Sequence, residues 1–279
     1  MAQWTIDEPT TLGFDGVVAL KATLVAGGVS VLAGDGPPSL EITEVAGPPL
    51  VVAHEAGMLS VTHQNLSPDG LLKWLREQLA EGVGAGRAVI TVTVPHDCPV
   101  QLNLGAADAV VTGLTARTSI RSAAGDITLD GVTGRIDAST VSGDVAAQGL
   151  AGAVGFTSVS GDLAVAGGSV DKLTARTVSG RISADIDLVG AGQVQVHTVS
   201  GEVALRLPES ASADVDLNSA AGEIDTSFPR LEPVERPLLK GVAGRLGTGS
   251  GRLSVTTVSG GVTLLSRPAD PPRAEMEEH

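Results

Sequence analysis

Val141-Ser142-Gly143, Val159-Ser160-Gly161, Val178-Ser179-Gly180, Val199-Ser200-Gly201 and Val258-Ser259-Gly260 are five identical copies of one tripeptide, with looser copies at Ala123-Ala124-Gly125 and Ala220-Ala221-Gly222. Their glycines, Gly125, Gly143, Gly161, Gly180, Gly201, Gly222 and Gly260, follow one another at steps of 18, 18, 19, 21, 21 and 38 residues, the last close to two periods. Self-similarity at a fixed period of this length is the signature of a stacked repeat. Because the repeated unit is rich in Val, Thr and Gly and contains no helical periodicity, the unit is a coil of β-strands.

In nearly every copy a Thr or Ser precedes the Val. An aliphatic residue follows two positions after the Gly: Ile127, Val145, Leu163, Ile182, Val203, Ile224 and Val262. Alternation of period two marks strands with one buried face. A second signal lies about nine residues on, as in Val132-Thr133-Gly134-Arg135-Ile136 and Leu150-Ala151-Gly152-Ala153-Val154, so each coil holds at least two strands. One coil cannot bury its apolar face alone, and stability has to come from stacking on its neighbours. The fold class is therefore all-β, a parallel β-helix or solenoid with 18–21 residues per coil. Stacking predicts columns: the motif valines (Val141, Val159, Val178, Val199) and the following aliphatics inside, the motif serines and then Asp126, Asp144, Asp162, Arg181, Glu202 and Glu223 in water. The glycines mark places where the chain bends or packs too tightly for a Cβ.

The array is expected over residues 101–266, with a loop excursion near 228–240 introduced by Phe228 and carrying Pro229, Pro233 and Pro237. Before it, residues 1–100 read as an N-terminal β-cap, with strand signals at Val17 to Val31, Leu40 to Val45, Leu59 to Thr62 and Ala88 to Val94. One short helix is expected near 68–81, opened by Ser67-Pro68-Asp69 and carrying an apolar stripe of Leu71, Leu72, Leu75 and Leu79. Leu71, Trp74, Leu75 and Leu79 are the candidate partner-binding residues there. The final coil, Leu253 to Leu265, is expected to end the stack with an unpaired edge at which self-association can occur. The Pro-rich, acidic tail over 267–279 reads as disordered and as a guard on that edge.

The run of Thr/Ser-Val-Ser-Gly-Asp/Glu/Arg-aliphatic copies, preceded by strands ending in Val92-Thr93-Val94-Pro95, resembles the bacterial "putative adhesin" family of unknown function, also called toastrack. The likeness extends from about Val17 to Ser266. The resemblance implies a β-solenoid without established enzymatic activity, some members being associated with envelope or signalling proteins.

Composition narrows the function classes. A net charge of -14, from 18 Lys+Arg against 32 Asp+Glu, opposes phosphate backbones and anionic lipid, so neither nucleic acid nor membrane insertion is expected. Trp4, Phe14, Trp74, Phe156 and Phe228 are too scattered to form stacking platforms. Cys98, the sole cysteine, reads as a small buried side chain, and no intrachain disulfide can form. Met1 to Thr11 shows neither the basic nor the apolar region of a signal peptide, and a cytoplasmic location is expected. The Asp column lacks the Gly-Gly-x-Gly-x-Asp of calcium-binding turns, and His54, His63, His96, His197 and His279 lack metal-ligand spacing. His54 and His63 read as surface residues on neighbouring strands. No Gly-x-Ser-x-Gly elbow is present. The sequence thus points to a non-catalytic protein-interaction scaffold with a protein partner and no cofactor. Its alternative is a polysaccharide-binding or polysaccharide-acting β-helix.

Overall fold

In the repeat, alternation of small polar and aliphatic residues builds two walls per coil. The computed structural model describes residues 2–63, 86–236 and 239–268. Among these, every regular element is a strand of one continuous hydrogen-bonded sheet. The helix expected near 68–81, with Leu71, Trp74, Leu75 and Leu79, lies outside the described residues, as does the tail beyond residue 268.

The N-terminal strands are Ala2–Ile6 (β1), Thr10–Gly13 (β2), Ala19–Ala33 (β3), Ser39–Ala46 (β4), Leu50–Glu55 (β5), Met58–His63 (β6) and Arg87–Val94 (β7). Antiparallel pairs β1–β5, β5–β6, β2–β4 and β4–β7 close this end. The strand β3 already belongs to the stack: it runs parallel to β6 and β7 on one side and to Val100–Thr112 (β8) on the other.

Beyond β8 come Thr118–Ser122 (β9), Ile127–Asp130 (β10), Thr133–Ser139 (β11), Val145–Thr157 (β12), Leu163–Arg176 (β13), Ile182–Thr198 (β14) and Val203–Pro208 (β15). Long strands such as β12 bend at a glycine and contribute to both walls. The bends at Gly131, Gly149 and Gly167 have φ of 60°, 61° and 63°, where a side chain is strained. In the first wall β10, β12, β13, β14 and β15 pair in register through Ile127, Val145, Leu163, Ile182 and Val203, all buried. In the second wall Ile136, Val154, Leu173 and Val194 form the matching inward column. The next column inward holds Ala138, Phe156 and Ala175, so the one large ring is bracketed by two methyl groups and the layers interdigitate.

The last elements are Ala213–Ser219 (β16), Ile224–Thr226 (β17), Leu231–Arg236 (β18), Leu239–Leu246 (β19), Gly251–Thr257 (β20) and Val262–Arg267 (β21). Two expectations are corrected here. The segment read as a loop excursion contains β18 and β19, an antiparallel pair that extends the second wall from β16. More consequentially, the final coil in sequence is not the final coil in space. The strand β20 lies between β14 and β16, and β21 lies between β15 and β17. The chain leaves β15, builds β16 to β19 one layer further out, and returns to fill the gap. The stack therefore ends at β17 and β18, and β21 has a neighbour on each side. Period counting missed this because it orders coils by sequence, whereas a strand pairs with whichever edge its apolar face fits.

Candidate functional site

The repeated motif forms the corner that links the second wall of one coil to the first wall of the next. Its opening Thr or Ser points inward and its hydroxyl accepts a hydrogen bond from the N–H of the Gly three residues on. The distances are 2.9 Å for Gly143 to Thr140, 2.9 Å for Gly161 to Ser158 and 3.0 Å for Gly260 to Thr257. The Thr177 hydroxyl in the Gly180 copy makes no such bond. The motif Ser donates its hydroxyl to the Val carbonyl of the coil before, as Ser160 does to Val141 at 3.2 Å and Ser259 to Val199 at 3.3 Å. The Asp column, read as a solvated face, is exposed but engaged. Asp108, Asp126, Asp144 and Asp162 each accept the backbone N–H of the next coil, at 2.8 to 3.0 Å.

All seven motif glycines fall in one column whose order is Gly125, Gly143, Gly161, Gly180, Gly201, Gly260, Gly222. A Cβ on any of them would sit 1.8 to 2.3 Å from a backbone carbonyl oxygen of the preceding coil. None has a positive φ, so what excludes a side chain is the close approach of the coils.

The motif valines overturn the expected inward column. Val141 and Val258 are 52% exposed, and Val159, Val178 and Val199 are 46%, 48% and 46% exposed. The reason is local: the motif is a bend, so strand alternation stops there, and the Thr or Ser takes the inward place. The five valines stack into an apolar ridge along the corner.

The two walls carry opposite charge. Outward positions of the first wall hold Asp108, Asp126, Asp130, Asp144, Asp162, Asp185 and Glu202, which outnumber Arg181 and Arg206 there. On the second wall, between β3 and β20, the outward side chains and the turn into β9 include Lys21, Arg117, Arg121, Arg135, Lys172, Arg176 and Arg252, which outnumber the carboxylates there, Asp137 and the bulged Asp171 among them. Asp137 binds Arg135 at 3.0 Å and lies 3.8 Å from Arg117. In the middle of this wall a depression of roughly 360 Å³ opens where β12 places Ala153 and Gly155 in the outward columns. Arg135 and Lys172 flank Ala153 in one column, Asp137 and Thr174 flank Gly155 in the next, and Ser139, Thr157 and Arg176 form the third. The sequence reading missed these residues. The signal was present, since Arg117, Arg135, Ala153 and Lys172 recur at steps of 18, 18 and 19.

Near the other end, Asp185 on β14 accepts bonds from Arg206 on β15 and from Arg267 on β21, the latter at 2.9 Å. Arg267 thereby reaches across β15 and ties the inserted coil to β14. The hydrogen bond from Arg206 holds the Asp185 carboxyl below its ordinary range, and Arg267 adds to this against some desolvation. A carboxyl with a lowered folded pKa stabilises the fold at pH above its unfolded value, about 3.9, and loses that contribution as pH falls through the folded value. Asp185→Asn is therefore expected to cost about 1 kcal/mol at neutral pH. The gap to the unsubstituted protein should close below about pH 4. Urea titrations at pH 7 and pH 3 check this, and a gap unchanged by pH counts against the clamp.

Two further expectations change or gain detail. His54 and His63 do lie on neighbouring strands, His54 opposite Leu59 and His63 opposite Leu50 across the β5–β6 pair. His63 is buried rather than on the surface, and desolvation lowers its pKa. It accepts the Val25 N–H at 3.4 Å, and Gly86 lies close against its ring. Cys98 is buried, and burial with Asp97 nearby pushes its thiol up to about 11. Among the described residues, no three His, Cys, Asp or Glu side chains come together as a metal site. No helix among them is long and apolar enough to cross a membrane.

Known proteins give a family but no activity. No curated protein matches the chain. Two solved structures are similar at low identity. One is a "putative cell adhesion protein" from Clostridium sporogenes ATCC 15579, at 11% identity and a TM-score of 0.27, covering 93% of this chain and 99% of that chain. The other is a "putative lipid binding protein" from Parabacteroides distasonis ATCC 8503, at 13% identity and a TM-score of 0.35, covering 93% and 97%. The model of the family Toastrack DUF4097 matches residues 55–265, which takes in nearly every coil from β6 to β21. The chain belongs to the Toastrack DUF4097 family.

Proposed function

We propose that the protein is a non-catalytic scaffold whose exposed corner docks a protein partner. The observation that carries this reading is the division of labour within the motif. Its Thr, Ser and Asp groups are spent on hydrogen bonds within and between coils, while its valines are left in solvent as one continuous ridge. Single exposed aliphatics are ordinary on a protein surface, but a contiguous apolar strip with polar rims marks an interaction site. The steps along the ridge are about 4.8 Å, set by the strand spacing, so Val141 to Val258 present a straight row about 19 Å long to an extended apolar segment of the partner.

Photo-crosslinkers placed at Val159 and at Val178 should capture the same polypeptide in the native cell, and one at Ala146 on the first wall should not. Val178→Asp should abolish capture at position 159 without changing the unfolding curve. Equal capture from all three positions, or capture that survives Val178→Asp, defeats the docking role.

A further inference from the structure

The depression on the second wall has features that the scaffold role does not use. It is concave because two successive outward positions of β12 are Ala153 and Gly155, while the same columns on the flanking coils carry the larger polar side chains Arg135, Asp137, Lys172 and Thr174. Its cations are only partly neutralised. Arg135 shares Asp137 with Arg117, but among the described residues Lys172 and Arg176 have no carboxylate within ion-pair distance. In a chain of net charge -14, a wall on which cations outnumber carboxylates forms a local field that attracts anions.

We propose that this depression binds a sparsely charged acidic polysaccharide. Its carboxylates meet Lys172, Arg176 and Arg135, and its hydroxyls meet Ser139, Thr157 and Thr174. Three properties of the site select this class. The floor offers only a methyl group and a glycine, so there is no apolar pocket to anchor a peptide side chain. Along the floor, Gly155, Phe156 and Thr157 pair residue by residue with β11 and β13, so recognition there falls to side chains rather than to an amide nest suited to a phosphate. The surrounding chain repels a densely charged polymer such as a nucleic acid, whereas a chain with one carboxylate among many hydroxyls gains the local attraction with little of that repulsion. The hydroxyls beside the cations match such a ligand: they donate and accept at positions between the charges.

Isothermal titration of the full chain with hyaluronan oligosaccharides, dextran and dextran sulfate, at low and high salt, tests the proposal. Hyaluronan is expected to bind, more weakly at high salt, and dextran at least tenfold less well. The double substitution Lys172→Ala with Arg176→Ala should lower hyaluronan affinity tenfold or more while leaving the unfolding curve in place, since both side chains are exposed. Absence of hyaluronan binding, or binding that survives the double substitution, overturns it. Dextran sulfate binding as tightly through the same residues would reduce the site to a plain ion-exchange surface. Salt-sensitive self-association abolished by the double substitution would instead assign the wall to the acidic wall of a second copy. The valine-ridge variants leave this site intact, so the two readings fail separately.

Discussion

Gly161→Val is expected to lower stability by about 3 kcal/mol or more, while Ser160→Ala costs about 0.5 to 1. The contrast follows from what each atom meets. A Cβ at position 161 would lie 1.9 Å from the Gly143 carbonyl oxygen, and that oxygen belongs to backbone held by ladder bonds on both walls. It cannot swing aside as the end of a long side chain would. Removing the Ser160 hydroxyl, by contrast, deletes one bond to the Val141 carbonyl, which still accepts the Ser160 N–H at 3.0 Å. Urea unfolding of both variants decides the matter, and coincident midpoints would show that neighbouring coils can separate at the corner without penalty.

The inserted coil leads to the second large effect. In a stacked repeat, stability is a sum over neighbouring layers, so each added layer ordinarily raises it. Here a chain ending at Gly247 would retain β16 to β19 but lack β20 and β21, through which they join the rest. It is expected to melt no higher than a chain ending at Pro208, and its amides from 213 to 246 should exchange as freely as those of an unfolded chain. A melting temperature several degrees higher for the longer chain would show that β16 settles directly on β14, and would remove the basis for the inserted order.

Much of this architecture was legible because the repeat writes its contacts at a fixed spacing. The glycine column, the aliphatics from Ile127 to Val262 and the strands β3, β4, β6 and β7 all carry the alternation that burial on one side requires. Three things were not legible. The exposure of Val159 and its counterparts depends on whether the motif is strand or bend, and composition does not distinguish the two. The position of β20 between β14 and β16 is a choice among edges that present similar apolar faces. The cationic wall became visible only after register placed Arg135, Lys172 and Arg176 around Ala153 and Gly155, because charges far apart in sequence signal nothing until the pitch of the coil is known.

The return of β20 and β21 into an inner layer also bears on biosynthesis. A ribosome delivers the chain from the N-terminus, so each coil up to β15 can settle on a finished platform as it emerges. The segment β16 to β19 emerges next and has no platform, since the layer that supports it is still unmade. The nascent protein must hold that segment open until the last strands arrive. Any product whose translation stops within β16 to β19 is expected to carry that segment as an undocked flap beyond β15, open to proteolysis.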